Sequence, residues 1–235
     1  MTTIDRLVVI WGDPQHGNRH VVGHLARLNG EFAFWYVDDL ANATAHGFSL
    51  LPEFPEYRRA DRPYRERYLF ALFAARIPAP SRRDAKAMLQ AWGVERPDDQ
   101  FEVLAKSGGV RATDRLELLE YRPVDDDLSR PLEFRIASRR HLTDCAPLAI
   151  SDAVSFRREP TNESDSQAVI VDRNGRRAGY VPRPYAALFA RLLDRSTDLR
   201  GEVIRQLLVP DDVGKWVVRV TRPTGVESAG QLSMS

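Results

Sequence analysis

The sequence predicts an α+β chain in two parts: a small β-meander with three helices, then a nearly all-β antiparallel half with one helix. Three observations carry that expectation. Short alternating apolar runs recur at both ends of the chain, the pattern of half-buried strands. Asn29-Gly30 and Asn174-Gly175 each stand between two such runs and mark two-residue hairpins. Helical spacing, by contrast, is concentrated in residues 64–107.

Taken in order, Leu7–Trp11 is the first strand, and Gly12-Asp13-Pro14 with Gly17-Asn18 form a turn-rich loop. His20–Arg27 is a second strand, and the Asn29-Gly30 turn leads into Glu31–Val37. Residues 41–63 lack a period and hold Pro52, Pro55 and Pro63, so they read as an ordered loop. Tyr64–Arg76 places Tyr64, Tyr68, Leu72 and Ala75 on one helical face. Ser81–Trp92 opens on Ser81-x-x-Asp84, a loose capping box, and stops at Gly93. Asp98–Ser107 opens on an aspartate cap and ends at Gly108-Gly109, and Arg115–Tyr121 alternates as a returning strand. Residues 123–130 are polar, aperiodic and include Asp125-Asp126-Asp127, so they read as an acidic linker between domains at 1–122 and 131–222. Beyond it come strands Leu132–Ser138, Ala149–Arg157, Ala168–Asp172 and Arg176–Val181, then helix Arg183–Leu193. Strands Gly201–Val209 and Lys215–Thr221 close the domain, and residues 223–235 are expected to be disordered.

Composition narrows the function. The 235 residues are 43% hydrophobic and 29% charged, enough for a sizeable core. No apolar run approaches the roughly 20 residues that span a bilayer, and Met1–Trp11 lacks a signal-peptide core, so the expectation is a cytoplasmic chain with no membrane partner. Cys145, the single cysteine, excludes an internal disulfide and a cysteine-rich zinc site. Net charge is +1 overall, yet residues 131–222 hold 16 basic against 12 acidic side chains, an excess of +4. That excess permits nucleic-acid contact without demanding it.

The sharpest local pattern runs from Arg157-Arg158-Glu159-Pro160-Thr161-Asn162 through Asp165 to Ala168-Val169, and resumes at Gly179-Tyr180-Val181-Pro182-Arg183. In physical terms it is a strand, a proline-initiated loop, a hairpin and a helix entry. This run resembles the signature of the HIRAN domain family. The resemblance implies an OB-like antiparallel β-barrel that contacts single-stranded DNA or DNA 3′ ends. By position it assigns nucleic-acid contacts to Arg139, Arg140, His141, Arg158, Thr161, Asn162, Asp165, Tyr180 and Arg183. Within that set Asp165 would accept a hydrogen bond from the terminal 3′-hydroxyl, and Tyr180 and Arg183 would contact phosphate. Two tyrosines that sandwich the terminal base in DNA-end binders stand here as Arg140 and Ser164. An arginine plane still stacks on a base, whereas serine offers no surface, and stacking is worth about 1–3 kcal/mol per base.

The first half is similar, from Val21 through Pro55 and again over Phe101–Leu118, to the N-terminal part of HipA-type toxin kinases, which implies a docking lobe for an unidentified protein partner. No kinase core accompanies it: nothing supplies a Lys–Glu pair, a catalytic-loop aspartate or a metal-binding aspartate motif. His16, His20 and His24 recur every four residues, but Gly17, Asn18 and Gly23 oppose a helix, and on a regular strand only His20 and His24 share a face. The expectation is therefore no metal site and no cofactor. Cys145 has His141 nearby but no third member, and no catalytic constellation emerges, so the chain reads as a binding protein rather than an enzyme. Two alternatives remain at this stage: a protein-interaction regulator of a toxin–antitoxin or phage-defence system, and an accessory subunit of a helicase or nuclease.

Overall fold

A computed structural model describes residues 3–111, 113–139, 142, 144–207 and 215–223. The expected contacts at Arg140 and His141, and nearly all of the expected tail, lie outside the described residues. The chain divides into two compact units, Met1–Tyr121 and Arg122–Ser235. Both are built on antiparallel sheets, as the predicted α+β class requires. Among the described residues no helix is long and apolar enough to cross a membrane.

In the first unit, β1 (Arg6–Gly12), β2 (Arg19–Leu28), β3 (Glu31–Tyr36), β4 (Tyr64–Glu66) and β5 (Leu116–Glu120) form one sheet in the order β4-β3-β2-β1-β5. Asn29 and Gly30 have φ of 54° and 83°. Positive φ at both central positions suits the twist of a tight hairpin, which is why Asn-Gly appears there. One face of the sheet buries Leu7, Val9, Leu25, Phe34 and Tyr36 against Phe54, Phe73 and Phe101. Phe34 and Phe54 stack with centroids 4.0 Å apart. Helices α1 (Ala41–Ala45), α2 (Ala71–Ala74), α3 (Ala85–Trp92) and α4 (Gln100–Ser107) complete the unit. The Asp99 carboxylate caps α4 by accepting the Phe101 amide at 3.1 Å, and Gly93 and Gly108 end α3 and α4 in left-handed conformations.

Three local readings need correction. The helix expected over Tyr64–Arg76 is instead the edge strand β4 followed by the single turn α2. Its aromatic spacing has another cause: Tyr64 pairs with Phe34 across the sheet and donates its hydroxyl to Glu56 O, while Tyr68 points outward, 74% exposed. The capping box at Ser81 does not form, because α3 starts only at Ala85. Finally, the pairing of β1 with β2 shifts register between Val9 and Ile10, so the strand bulges at Val22-Gly23. A bulge reverses side-chain alternation. His20 consequently lies over the core-facing side beside Trp11, while His24 lies on the other face between Trp35 and Tyr121.

In the second unit, β6 (Leu132–Arg135), β7 (Ala153–Arg158), β8 (Val169–Arg173), β9 (Arg176–Tyr180), β10 (Arg200–Leu207) and β11 (Lys215–Thr221) form a curled sheet in the order β6-β11-β10-β7-β8-β9. Its two edges meet. Ala137, just past β6, bridges Tyr180 at the end of β9 through reciprocal amide–carbonyl bonds of 2.8 and 3.0 Å. Gly179 makes this closure possible: its φ is +144°, and a Cβ there would sit 2.3 Å from Ile136 Cγ2 and 2.7 Å from Ala137 O. Helix α5 (Arg183–Asp194) buries Tyr185, Leu188, Phe189 and Leu192, with Phe189 packed edge-on to Phe134 and Phe156. The stretch expected as a linker folds onto this unit. Arg191 of α5 donates to Val124 O and Asp126 O, and Leu128 is buried.

The placement of His24 has a measurable consequence. Burial, then the charge of Arg6, pushes its imidazole down to about 3 from an ordinary 6.5. Below pH 6.5 the unfolded chain takes up a proton that the folded unit refuses until about pH 3, so stability falls with acid across that window. Replacing His24→Gln is expected to shrink this acid-induced loss, measured by urea denaturation at pH 7 and about pH 4.5.

Candidate nucleic-acid interface

The loop between β7 and β8 gathers most of the residues singled out in the sequence, and Glu159 organises it. Its Oε2 accepts hydrogen bonds from Asn162 Nδ2 at 2.7 Å and the Tyr180 hydroxyl at 2.8 Å, and its Oε1 accepts from Arg177 Nη2 at 2.8 Å. Its backbone N–H donates to Ala168 O at 2.9 Å, so the loop closes at its base. Burial alone would raise the Glu159 carboxyl. The bonds from Asn162 and Tyr180, with the charges of Arg177 and Arg157, outweigh burial and hold it below its ordinary range. Tyr180 responds in the opposite sense: burial, then the bond to Glu159 and its negative charge, raises the phenol, which stays a donor.

Asn162 shapes the loop from inside. Its Oδ1 accepts the amides of Ser164 and Asp165 at 3.0 and 3.1 Å, an Asx turn. Asp165 holds the Gln167 amide on Oδ1 at 2.8 Å and turns Oδ2 toward Arg183, the first residue of α5, 4.0 Å away. Arg183 remains 56% exposed. Arg158 donates to Asp194 at 3.2 Å and to Ser166 O at 3.3 Å, tying the loop to the end of α5. Thr161 is exposed at the tip.

Arg139 stands on the far side of the Ala137–Tyr180 bridge. It donates to the carbonyl oxygens of Ala178 at 2.5 Å and Ala146 at 3.1 Å, and its Cγ sits against Gly179. Its Nε is buried and finds no partner among the described residues. Burial lowers its pKa. Arg139 therefore acts first as a clamp on the barrel backbone, whereas Arg183 presents its charge to solvent. A chain of contacts runs from Tyr180 through Glu159, Asn162 and Asp165 to Arg183, and Arg139 stands apart from it on the backbone of Ala178 and Ala146.

Sequence reasoning missed three members: Glu159, Arg157 and Arg177. The β7–β8–β9 register places Arg157 and Tyr180 in one row on the outer face, and Arg177 lies over the Tyr180 ring at 5.3 Å. A signal existed. Glu159 lies two residues after Arg157, at the period of one strand face, and the Asn174-Gly175 hairpin predicts that β9 runs alongside β8.

Residues 130–207 match the family model of the HIRAN domain, so the resemblance read from the sequence is borne out for this segment. Two solved structures are similar to part of the chain. The crystal structure of the HIRAN domain of human HLTF is 20% identical and covers 39% of this chain and 74% of its own, with a TM-score of 0.34. The crystal structure of a Lactobacillus plantarum protein is 21% identical and covers 40% of this chain and 100% of its own, with a TM-score of 0.29. No curated protein matches the chain. The matched family segment lies wholly in the second unit, and the likeness of the first half to HipA-type lobes gains no support.

A depressed carboxyl stabilises the fold above its ordinary value of 4.5 and loses that contribution as pH falls through the lower folded value. Replacing Glu159→Gln is expected to cost about 1–3 kcal/mol near neutral pH, the cost of disrupting hydrogen bonds to a charged group. The gap between variant and parent narrows below pH 4.5. Chemical denaturation across pH checks this, and a gap that stays constant into acid contradicts it.

Proposed function

We propose that the HIRAN-like second unit binds single-stranded DNA, with a preference for strand ends, along the face that runs from Arg139 to Arg183. The observation that carries this reading is the convergence, inside the segment matched to the HIRAN domain, of cationic, amide, carboxylate and phenol groups at one barrel closure. Single strands are held by basic groups that track phosphates and by planar groups that meet bases. Arg183 and Arg157, 56% and 59% exposed, supply phosphate contacts, and Arg158 adds a third from the base of the loop. Arg177 over Tyr180 offers a guanidinium–aromatic surface next to them.

Strand-end preference rests on Asp165. Its Oδ1 is held by the Gln167 amide, while its Oδ2 faces Arg183 at a loose 4.0 Å. A terminal hydroxyl donating to Oδ2 would leave Arg183 turned toward the adjoining phosphate. Asn162 shapes the loop and Arg139 braces the barrel, so each acts through positioning more than contact. Thr161, exposed beside Asn162, adds a hydroxyl at the rim. In this reading the chain has no catalytic activity of its own, and its first unit docks a protein partner.

Fluorescence anisotropy with a short single strand, repeated over a salt series, tests the proposal. Replacing Arg183→Ala is expected to weaken binding and to flatten the log–log salt dependence by ~0.7, the value for one phosphate contact on a single strand. A linear strand with a free 3′-hydroxyl should bind more tightly than a circular one. Equal affinity of the parent and an Arg157→Ala/Arg183→Ala double variant at every salt concentration contradicts it.

A further inference from the structure

The β1–β2 loop and the turn after α1 bring together a second set of chemically capable side chains, far in sequence from the barrel. Asp13, His16 and His46 each offer one ligand atom, and these atoms all lie within 4.8 Å of one another. We propose that they form a site for one divalent transition-metal ion, zinc in the first instance. In the tetrahedral arrangement that zinc prefers, two ligands at about 2.0–2.1 Å lie about 3.3–3.4 Å apart. Bringing the widest pair from within 4.8 Å to that spacing is a closure of at most about 1.5 Å, which His16 can take up because its side chain is 60% exposed.

The surroundings already orient the donors. His46 Nδ1 lies 2.7 Å from Asn42 O. A carbonyl only accepts, so that nitrogen carries the proton and Nε2 keeps its lone pair, the arrangement that metal-binding histidines use. Asp13 is buried, and its Oδ1 is fixed by the Gln15 amide at 2.7 Å, which leaves Oδ2 aimed at His16 Nδ1 at 2.9 Å. A bound cation takes the place of the proton shared by His16 and Asp13. The buried His20 ring lies beside that of His46, with centroids 5.0 Å apart and planes tilted by 35°. Two imidazoles and one carboxylate suit zinc, nickel, cobalt or copper rather than calcium or magnesium, which favour all-oxygen sets.

No reading of the sequence found this set, because His46 comes from a segment expected to be a loop, and the bulge in β2 sends His24 to the opposite face. The bland explanation is a simple Asp13–His16 pair that closes the loop. Isothermal titration of Zn(II) into chelator-stripped, tag-free full-length protein separates the two. The site predicts one saturable equivalent, weakened more than about tenfold by either His16→Ala or His46→Ala and unchanged by His24→Gln. Histidine ¹⁵N resonances of the unaltered protein keep the test independent of variant folding: zinc should move those of His16 and His46 and leave His24 in place. Absence of saturable binding, binding that survives both alanine substitutions, or resonances of His16 and His46 that do not respond overturns the proposal.

Discussion

The Glu159 carboxylate is the constraint on which the second unit's functional face depends. Three donors from two segments converge on it: Asn162 in the loop, and Arg177 and Tyr180 in β9. Without a shared acceptor, each of these groups would have to find its own partner, and the loop would lose its link to the sheet edge. With it, the loop is fixed relative to the Ala137–Tyr180 bridge that closes the barrel. The carboxylate stays charged because its partners outweigh the cost of partial burial, the condition under which a partly buried acid organises rather than destabilises.

Under the proposed function, that arrangement would let a domain with an excess of only +4 over residues 131–222 offer a cationic face. Net charge averages over the whole unit, whereas phosphates respond to charge within a Debye length of about 8–10 Å. Arg157, Arg177 and Arg183 come from β7, β9 and α5 and face Asp172, Glu159 and Asp165. Each is near an acid, so the face is poised rather than saturated. A polyanion bound as proposed would compete with Asp172, Glu159 and Asp165 for these guanidiniums, which favours salt-sensitive binding over tight clamping.

Much of this was legible in the sequence, and the parts that were not share a cause. Both Asn-Gly hairpins were readable because the dipeptide dictates its own backbone conformation. Helix α5 was readable from its apolar stripe, and β11 from Lys215 to Thr221 matches its expected span. The Asn162-to-Arg183 motif was readable because its members are close in sequence. What failed depended on tertiary pairing. Tyr64 and Tyr68 have helical spacing, but Tyr64 belongs to a strand edge and Tyr68 faces solvent. The bulge at Val22-Gly23 leaves no trace in composition, yet it decides which histidines share a face. Glu159 was overlooked because its role exists only once β9 lies beside the loop. Arg139 looked like a free cation because the carbonyls of Ala178 and Ala146 that occupy it are visible only in the fold.

The central claim is that the Glu159-centred loop is the surface a single strand touches. Hydrogen exchange of the full chain, with and without a saturating single-stranded oligonucleotide, addresses it most directly. The account predicts slower exchange over residues 159–168 and at the start of α5, with the first unit unchanged. Saturation that leaves residues 159–168 exchanging at their free rate would contradict it.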